Sequence, residues 1–240
     1  MPTIHRAMVS EQGYLMGGID NRQHFSRHYG PDEGYDEEFD GYGIADDVLP
    51  TSWSMLNQDT SVYRQAFGAG RIDWGGGGDA SNLHSCVRTL PATTTFDAFF
   101  HLWGLTDLTS ASASYLHGVV LHNSANGDYV FCGLHQTTAT SAPQYFISAW
   151  SDADTQGSTL ATGPVLRAPG GPQGWYRITK QADNNYDFYA NTDGGCWFTV
   201  AANIDVNTSL GADPTHIGFT LNTVGAAHVG CEWFRLRGVT

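Results

Sequence analysis

From residue 37 onward the apolar positions recur in short runs, and clusters of Gly, Asn, Asp, Pro and Ser divide the runs. This is the pattern of short strands joined by tight turns. In FDAFFHLW, residues 96–103, Phe96, Ala98, Phe100 and Leu102 fall on one face and Asp97 and His101 on the other, while Phe99 and Trp103 blur the polar side. That alternation predicts a central strand. In YDFYANTDGGCWFTV, residues 186–200, two aromatic-rich strands flank Asn191-Thr192-Asp193-Gly194-Gly195. The Asp-Gly and Gly-Gly pairs tolerate the positive φ of a tight turn, so this unit predicts a hairpin. Further strands are expected at 71–74, 83–89, 116–122, 129–134, 145–150, 175–180, 216–223 and 232–237. No stretch of ten or more residues keeps apolar side chains at three-and-four spacing between capping residues, which argues against a parallel α/β sheet or a bundle. An all-β sandwich of two sheets is the packing that covers each apolar face.

Residues 1–35 lack this alternation and lead into YGPDEGYDEEFDG, rich in acids and glycine. They read as an extended N-terminal arm, with 36–240 as the sandwich. The arm carries Tyr14, Leu15, Met16, Ile19, Phe25 and Tyr29, more apolar anchors than a solvated tail retains. These are its candidate contact residues. They serve equally to cover an edge of their own sandwich or to dock on a neighbouring subunit.

Taken in order, DEEFDG (36–41), LPTSW (49–53), WYRITK (175–180), the 186–200 hairpin, HIGFTLNT (216–223) and CEWFRL (231–236) resemble the concanavalin A-like lectin/glucanase superfamily. The resemblance implies an antiparallel jelly-roll sandwich over about residues 36–237. It says little about ligand, because the fold hosts lectins, glucanases, spacer modules and viral surface proteins. More loosely, the chain is similar to structural proteins of tailed bacteriophages. That likeness implies a non-catalytic virion component, assembled in the host cytoplasm as a capsid decoration or tail-associated protein. Its arm would mediate assembly with other virion proteins or with copies of itself, and its surface would adhere to cell-surface glycans. A free-standing lectin and a divergent glucanase are the alternatives.

Composition narrows the partners. With 240 residues and 41% hydrophobic content, the chain can build one large β-sandwich or two small domains. Its formal charge is -13 and its single lysine is Lys180, so nucleic acid and anionic membrane surfaces would meet repulsion. No apolar run approaches the roughly 20 residues of a spanning helix, and the first residues do not read as a secretory signal. Cys86, Cys132, Cys196 and Cys231 lie in apolar strand-like runs and are expected as reduced structural thiols, although four cysteines also allow two disulfides.

Glycoside hydrolysis needs two carboxyl groups about 5–5.5 Å apart for retention. The one Glu-x-Asp, Glu38-Phe39-Asp40, runs into Gly41-Tyr42-Gly43 without a third acid, and is expected as a solvated acidic turn. Asp152-Ala153-Asp154 lacks the oxygen ligands of a calcium loop, and Asp46-Asp47 is weaker still. Cys132 with His135, and His228 with Cys231, stand three apart and point to opposite faces of a strand. No metal or other cofactor is therefore expected, and a nucleophilic Cys-His pair lacks an orienting group. The run Gly75 to Gly78 is a turn rather than a phosphate loop. Glycan contacts could be offered by loops such as 137–145 and 150–158, as by almost any loop of this chain, while Trp103, Trp150, Trp175, Trp197 and Trp233 are assigned to the core by their apolar surroundings.

Overall fold

The computed structural model describes residues 34–39, 48–58, 61–66, 69–74, 82–106, 115–138, 141–165, 174–192, 196–223 and 227–240. The arm contacts Tyr14, Leu15, Met16, Ile19, Phe25 and Tyr29, and the Gly75 to Gly78 turn, lie outside these residues.

Fourteen strands are described, in the order β1 Trp53–Leu56, β2 Ser61–Ala66, β3 Ala69–Trp74, β4 His84–Thr89, β5 Phe96–Thr106, β6 Tyr115–Asn123, β7 Asp128–Gln136, β8 Gln144–Trp150, β9 Gln156–Val165, β10 Gly174–Lys180, β11 Asn185–Asn191, β12 Phe198–Asp205, β13 His216–Thr223 and β14 Ala227–Arg237. One short helix, α1 Val206–Leu210, sits between β12 and β13. The Asp205 side chain caps it by accepting from the Thr208 amide, and Gly211 ends it at φ 69°. The strands form two seven-stranded sheets, ordered β1-β4-β13-β6-β7-β8-β9 and β12-β11-β10-β5-β14-β3-β2. Their ladders are antiparallel, so the sandwich expected from the sequence is the fold observed.

The layer between the sheets is filled by alternate residues of both. Phe96, Ala98, Phe100 and Leu102 of β5 meet Val119 and Leu121 of β6 and Ile217, Phe219 and Leu221 of β13 in one buried cluster. Cys86, Cys132 and Cys231 are buried in that layer, where loss of water raises each thiol pKa. Cys196 departs from the expectation: it is exposed, just before β12. The 186–200 hairpin forms as β11 and β12, with Ala190 opposite Phe198.

Strands β1, β2 and β9 were not legible as strands, and all three include sheet edges. β9, QGSTLATGPV, is exposed or half-exposed throughout, so no buried face marks it with alternation. At the opposite extreme, β6 is buried along its whole length, because the first sheet has a second apolar cluster on its outer face. Val87, Leu116, Val120, Phe131, Phe146 and Trp150 belong to it. Amid these large side chains the strands themselves approach closely. Gly118 pairs with Gly133, and a Cβ on Gly118 would fall 2.3 Å from the Cys132 carbonyl oxygen.

Residues 36–39 extend the second sheet. β3 pairs with β14 only as far as Cys231, and beyond that point Glu37 bridges to Phe234 through Glu37 N to Phe234 O at 3.1 Å and Phe234 N to Glu37 O at 2.9 Å. Arg237 grips Asp36 with both terminal nitrogens, and Arg235 reaches Asp36 at 3.2 Å and also pairs with Glu38. Phe39 then enters the core edge-to-face on Trp53. Of the solvated acidic turn expected at Glu38-Phe39-Asp40, Asp40 lies outside the described residues; Glu38 instead joins Asp36 in neutralising two buried arginines, whose desolvation demands such partners.

Three outcomes follow from this packing. Gly118→Ala forces a methyl into strand backbone and is expected to cost about 2 kcal/mol in chemical unfolding. Arg235→Met removes the cation that pairs with Glu38 and one of the two that pair with Asp36, and is expected to cost about 3 kcal/mol by the same measurement. Burial holds His122, His135 and His216 below the ordinary imidazole value, so the folded chain binds fewer protons than the unfolded one. Their contribution to stability is present above about pH 6.5 and is lost as pH falls toward the depressed folded values. The thermal midpoint is expected to drop between neutral and mildly acidic buffer.

Candidate functional site

The tryptophans are largely buried, as expected, but not where a core reading puts them. Trp53 packs between the sheets, whereas Trp175 and Trp233 form a separate buried cluster with Phe99, and Trp197 packs against it half-exposed. Strand parity explains the difference. On β5 the inward positions are Phe96, Ala98, Phe100 and Leu102, so Phe99, His101 and Trp103 emerge on the outer face of the second sheet. Register then sets Arg177 beside Phe99, Trp175 and Trp233 beside His101, and Gly230 beside Trp103. Trp150 instead occupies the outer face of the first sheet, with its indole N–H donating to Ser148 Oγ at 2.9 Å.

The outer face of the second sheet is therefore a band of rings with charges at intervals. His101 stacks on Trp175 with centroids 4.4 Å apart and planes 10° from parallel, and tilts against Trp233 at 5.9 Å. Its Nδ1 lies 3.0 Å from Glu232 Oε2. Phe99 meets Trp197 edge-on at 6.1 Å, and the Arg177 guanidinium lies over both Phe99 and Tyr189, 5.5 and 5.1 Å from their centroids. At the other end, Trp103 and His228 meet edge-on at 6.2 Å. Gly230 is required there, since a Cβ would sit 2.2 Å from the Trp103 indole.

The carboxylates on this face are already engaged. Asp97 Oδ1 accepts from Arg177 Nε at 2.9 Å and from Thr179 Oγ1 at 2.6 Å. Asp187 accepts from Gln181, Tyr189 and the Asn203 amide at 2.8, 3.1 and 2.8 Å. These bonds orient polar groups between the rings. What the face offers is flat apolar surface at Trp103, Trp197 and Tyr189, which are half-exposed, bordered by fixed acceptors and the Arg177 guanidinium. Such a surface suits a ligand with alternating apolar faces and hydroxyl edges. In the sequence, the signal for it was the pair Phe99 and Trp103 that spoiled the polar side of β5.

The other sequence candidates separate. Glu38 is held by Arg235 at the end of the second sheet. Cys132 faces the core while His135 meets Phe146 on the outside, and Cys231 faces inward while His228 meets Trp103 outside. Among the described residues no group of three or more His, Cys, Asp or Glu could hold a metal ion. Asp152 folds its own loop, accepting from the amides of Asp154 and Thr155 at 2.8 and 2.7 Å, which lowers its pKa.

No protein-family model and no curated protein matches the sequence. Solved structures do match the fold. The seed lectin of Lotus tetragonolobus shares 10% identity over 80% of this chain and 95% of its own, with a TM-score of 0.50. An endo-acting O-glycanase of the human gut microbiota shares 10% over 86% of this chain and 99% of its own, at 0.52. A GH43 glycoside hydrolase with both endo-xylanase and exo-arabinofuranosidase activity shares 14% over 85% of this chain, at 0.53, and this chain spans only 40% of that protein. The described sandwich has the concanavalin A-like fold common to lectins and glycoside hydrolases.

Proposed function

We propose that the protein is a non-catalytic glycan-binding sandwich whose contact surface is the aromatic outer face of the second sheet. The observation that carries this reading is the set of half-exposed rings Trp103, Tyr189 and Trp197 on that face, backed by the buried cluster of Phe99, Trp175 and Trp233. Aromatic rings stack on the apolar faces of sugar rings, and Asp97, Asp187 and Arg177 supply hydrogen bonds to the hydroxyl edges. The reading as non-catalytic draws support from the engagement of Asp97 and Asp187 by several donors each, which suits orientation better than proton transfer.

The finer form of the proposal is a virion-surface role, in which this sandwich decorates a capsid or tail and the arm, residues 1–35, secures it. Its support is the arm's apolar content and the strongly acidic composition. A free lectin keeps its ligand and has no assembly partner.

Intrinsic tryptophan fluorescence, titrated with glycans chosen from an array, tests the binding surface. Trp197→Ala and Arg177→Ala are each expected to weaken the best glycan about tenfold, a loss near 1.4 kcal/mol, with the thermal midpoint little changed. No glycan response, or full binding in both variants, sinks the proposal. Release of reducing ends from the bound glycan would replace it with hydrolysis. Deleting residues 1–33, which leaves Asp36 and Glu38 on their arginines, is expected to keep glycan binding and abolish attachment to virion proteins.

A further inference from the structure

Lys180, the chain's single lysine, occupies a position where the strand pattern calls for a core residue. Along β10, Tyr176 and Ile178 point into the layer between the sheets, and Lys180 follows in the same phase. Across the ladder it stands between Phe96 of β5 and Tyr186 of β11. Its side chain is 3% exposed. A buried ammonium group is costly unless it is paired. Lys180 Nζ donates to the Thr93 carbonyl at 2.9 Å and reaches Asp213 Oδ1 at 3.2 Å. An ammonium has three N–H groups, so two partners leave one donor to spare.

A second donor stands on the neighbouring strand. Tyr186 is fully buried, and its hydroxyl has no hydrogen-bond partner among the described residues. Burial, with Asp213 adding to it, pushes the phenol pKa upward, so the group remains O–H and can donate. Both residues line a cavity of about 310 Å³ at the end of the sandwich. Its other walls are mostly apolar: Leu90, Pro91, Phe96 and Pro214. The walls are tied together by the Leu90 amide, which donates to the Thr215 carbonyl at 2.9 Å. Asp213 differs from its neighbours, since its side chain is 55% exposed on its loop and its Oδ1 also accepts from Asn207 Nδ2 at 2.6 Å, a partner that it keeps when it leaves Lys180.

We propose that this cavity is a binding site for a small apolar monocarboxylate. The ligand carboxylate takes the place of Asp213 on Lys180 and accepts the Tyr186 O–H, while its apolar body lies against Leu90, Pro91, Phe96 and Pro214. Exchange of one carboxylate for another keeps the lysine paired, and the orphaned hydroxyl gains its acceptor. The site belongs to the inward rung of the second sheet and is independent of the outer aromatic face.

The lone lysine supplies the probe. Protein carrying ¹³C-labelled lysine gives one side-chain Cε resonance, followed by NMR during titration with benzoate and, separately, benzamide. Benzoate is expected to move that resonance saturably, and benzamide to bind about tenfold more weakly or less, as loss of a charge-assisted bond requires. Tyr186→Phe is expected to weaken benzoate severalfold, and Asp213→Asn to tighten it by removing the internal competitor. Both variants keep Lys180, so the readout survives even where Lys180→Met fails to fold. Equal response to benzoate and benzamide, a shift that sodium chloride reproduces, or benzoate binding unchanged in both variants overturns the assignment.

Discussion

Burial of the layer between the two sheets is the constraint on which the rest depends. Once Phe100, Phe219, Phe234 and Ile178 are committed to that layer, the two-residue period of a strand sends each intervening side chain outward. The aromatic band is a consequence: Phe99, His101 and Trp103 emerge because Phe100 and Leu102 go in. The same phase carries Lys180 inward at the end of β10, where hydrophobic burial alone would never place a cation.

Both sheets depart from the usual division into an apolar inner and a polar outer face. The first carries Val87, Val120 and Phe131 on its outer side, and the second carries rings interleaved with ion pairs. The two outer faces have different chemistry. Apolar side chains packed against one another on the first offer little orientation to a polar ligand. On the second, bonds such as Asp97 to Arg177 fix polar atoms between rings, which is the arrangement that a directional ligand requires.

Charge is spent internally to a degree that the net value hides. The chain has 11 Lys and Arg residues against 24 Asp and Glu, yet Arg88, Arg235, Arg237 and Lys180 are all buried. Arg235 and Arg237 secure residues 36–38 to the end of β14, and Arg88 donates to the Tyr35 carbonyl at 2.5 Å while lying over Trp53 and Phe234. Among the described residues these four cations are thus withdrawn from the surface, while Arg71 and Arg177 are half-buried. That withdrawal favours uncharged ligands over anionic ones on the exposed faces.

The fold class, the 186–200 hairpin and most central strands were legible in the sequence, because a strand with one buried face writes its phase into the order of its residues. Edge strands such as β9 left no such mark, since only Leu160 and Ala161 pack partly against the core and no face is fully buried. The role of DEEFDG was not legible either: Asp36 and Arg237 are 201 residues apart, and nothing local distinguishes an acid that meets solvent from one that meets a buried guanidinium. The same holds for the site. Phe99 and Trp103 advertised an unusual outer face, but its assembly with Trp175, Trp197 and Trp233 required the register of β5 with β10 and β14. The residues by themselves determined which strands form and which side chains share a phase; only the tertiary structure decided which phases face each other, because pairing between distant strands is chosen by the joint burial of both.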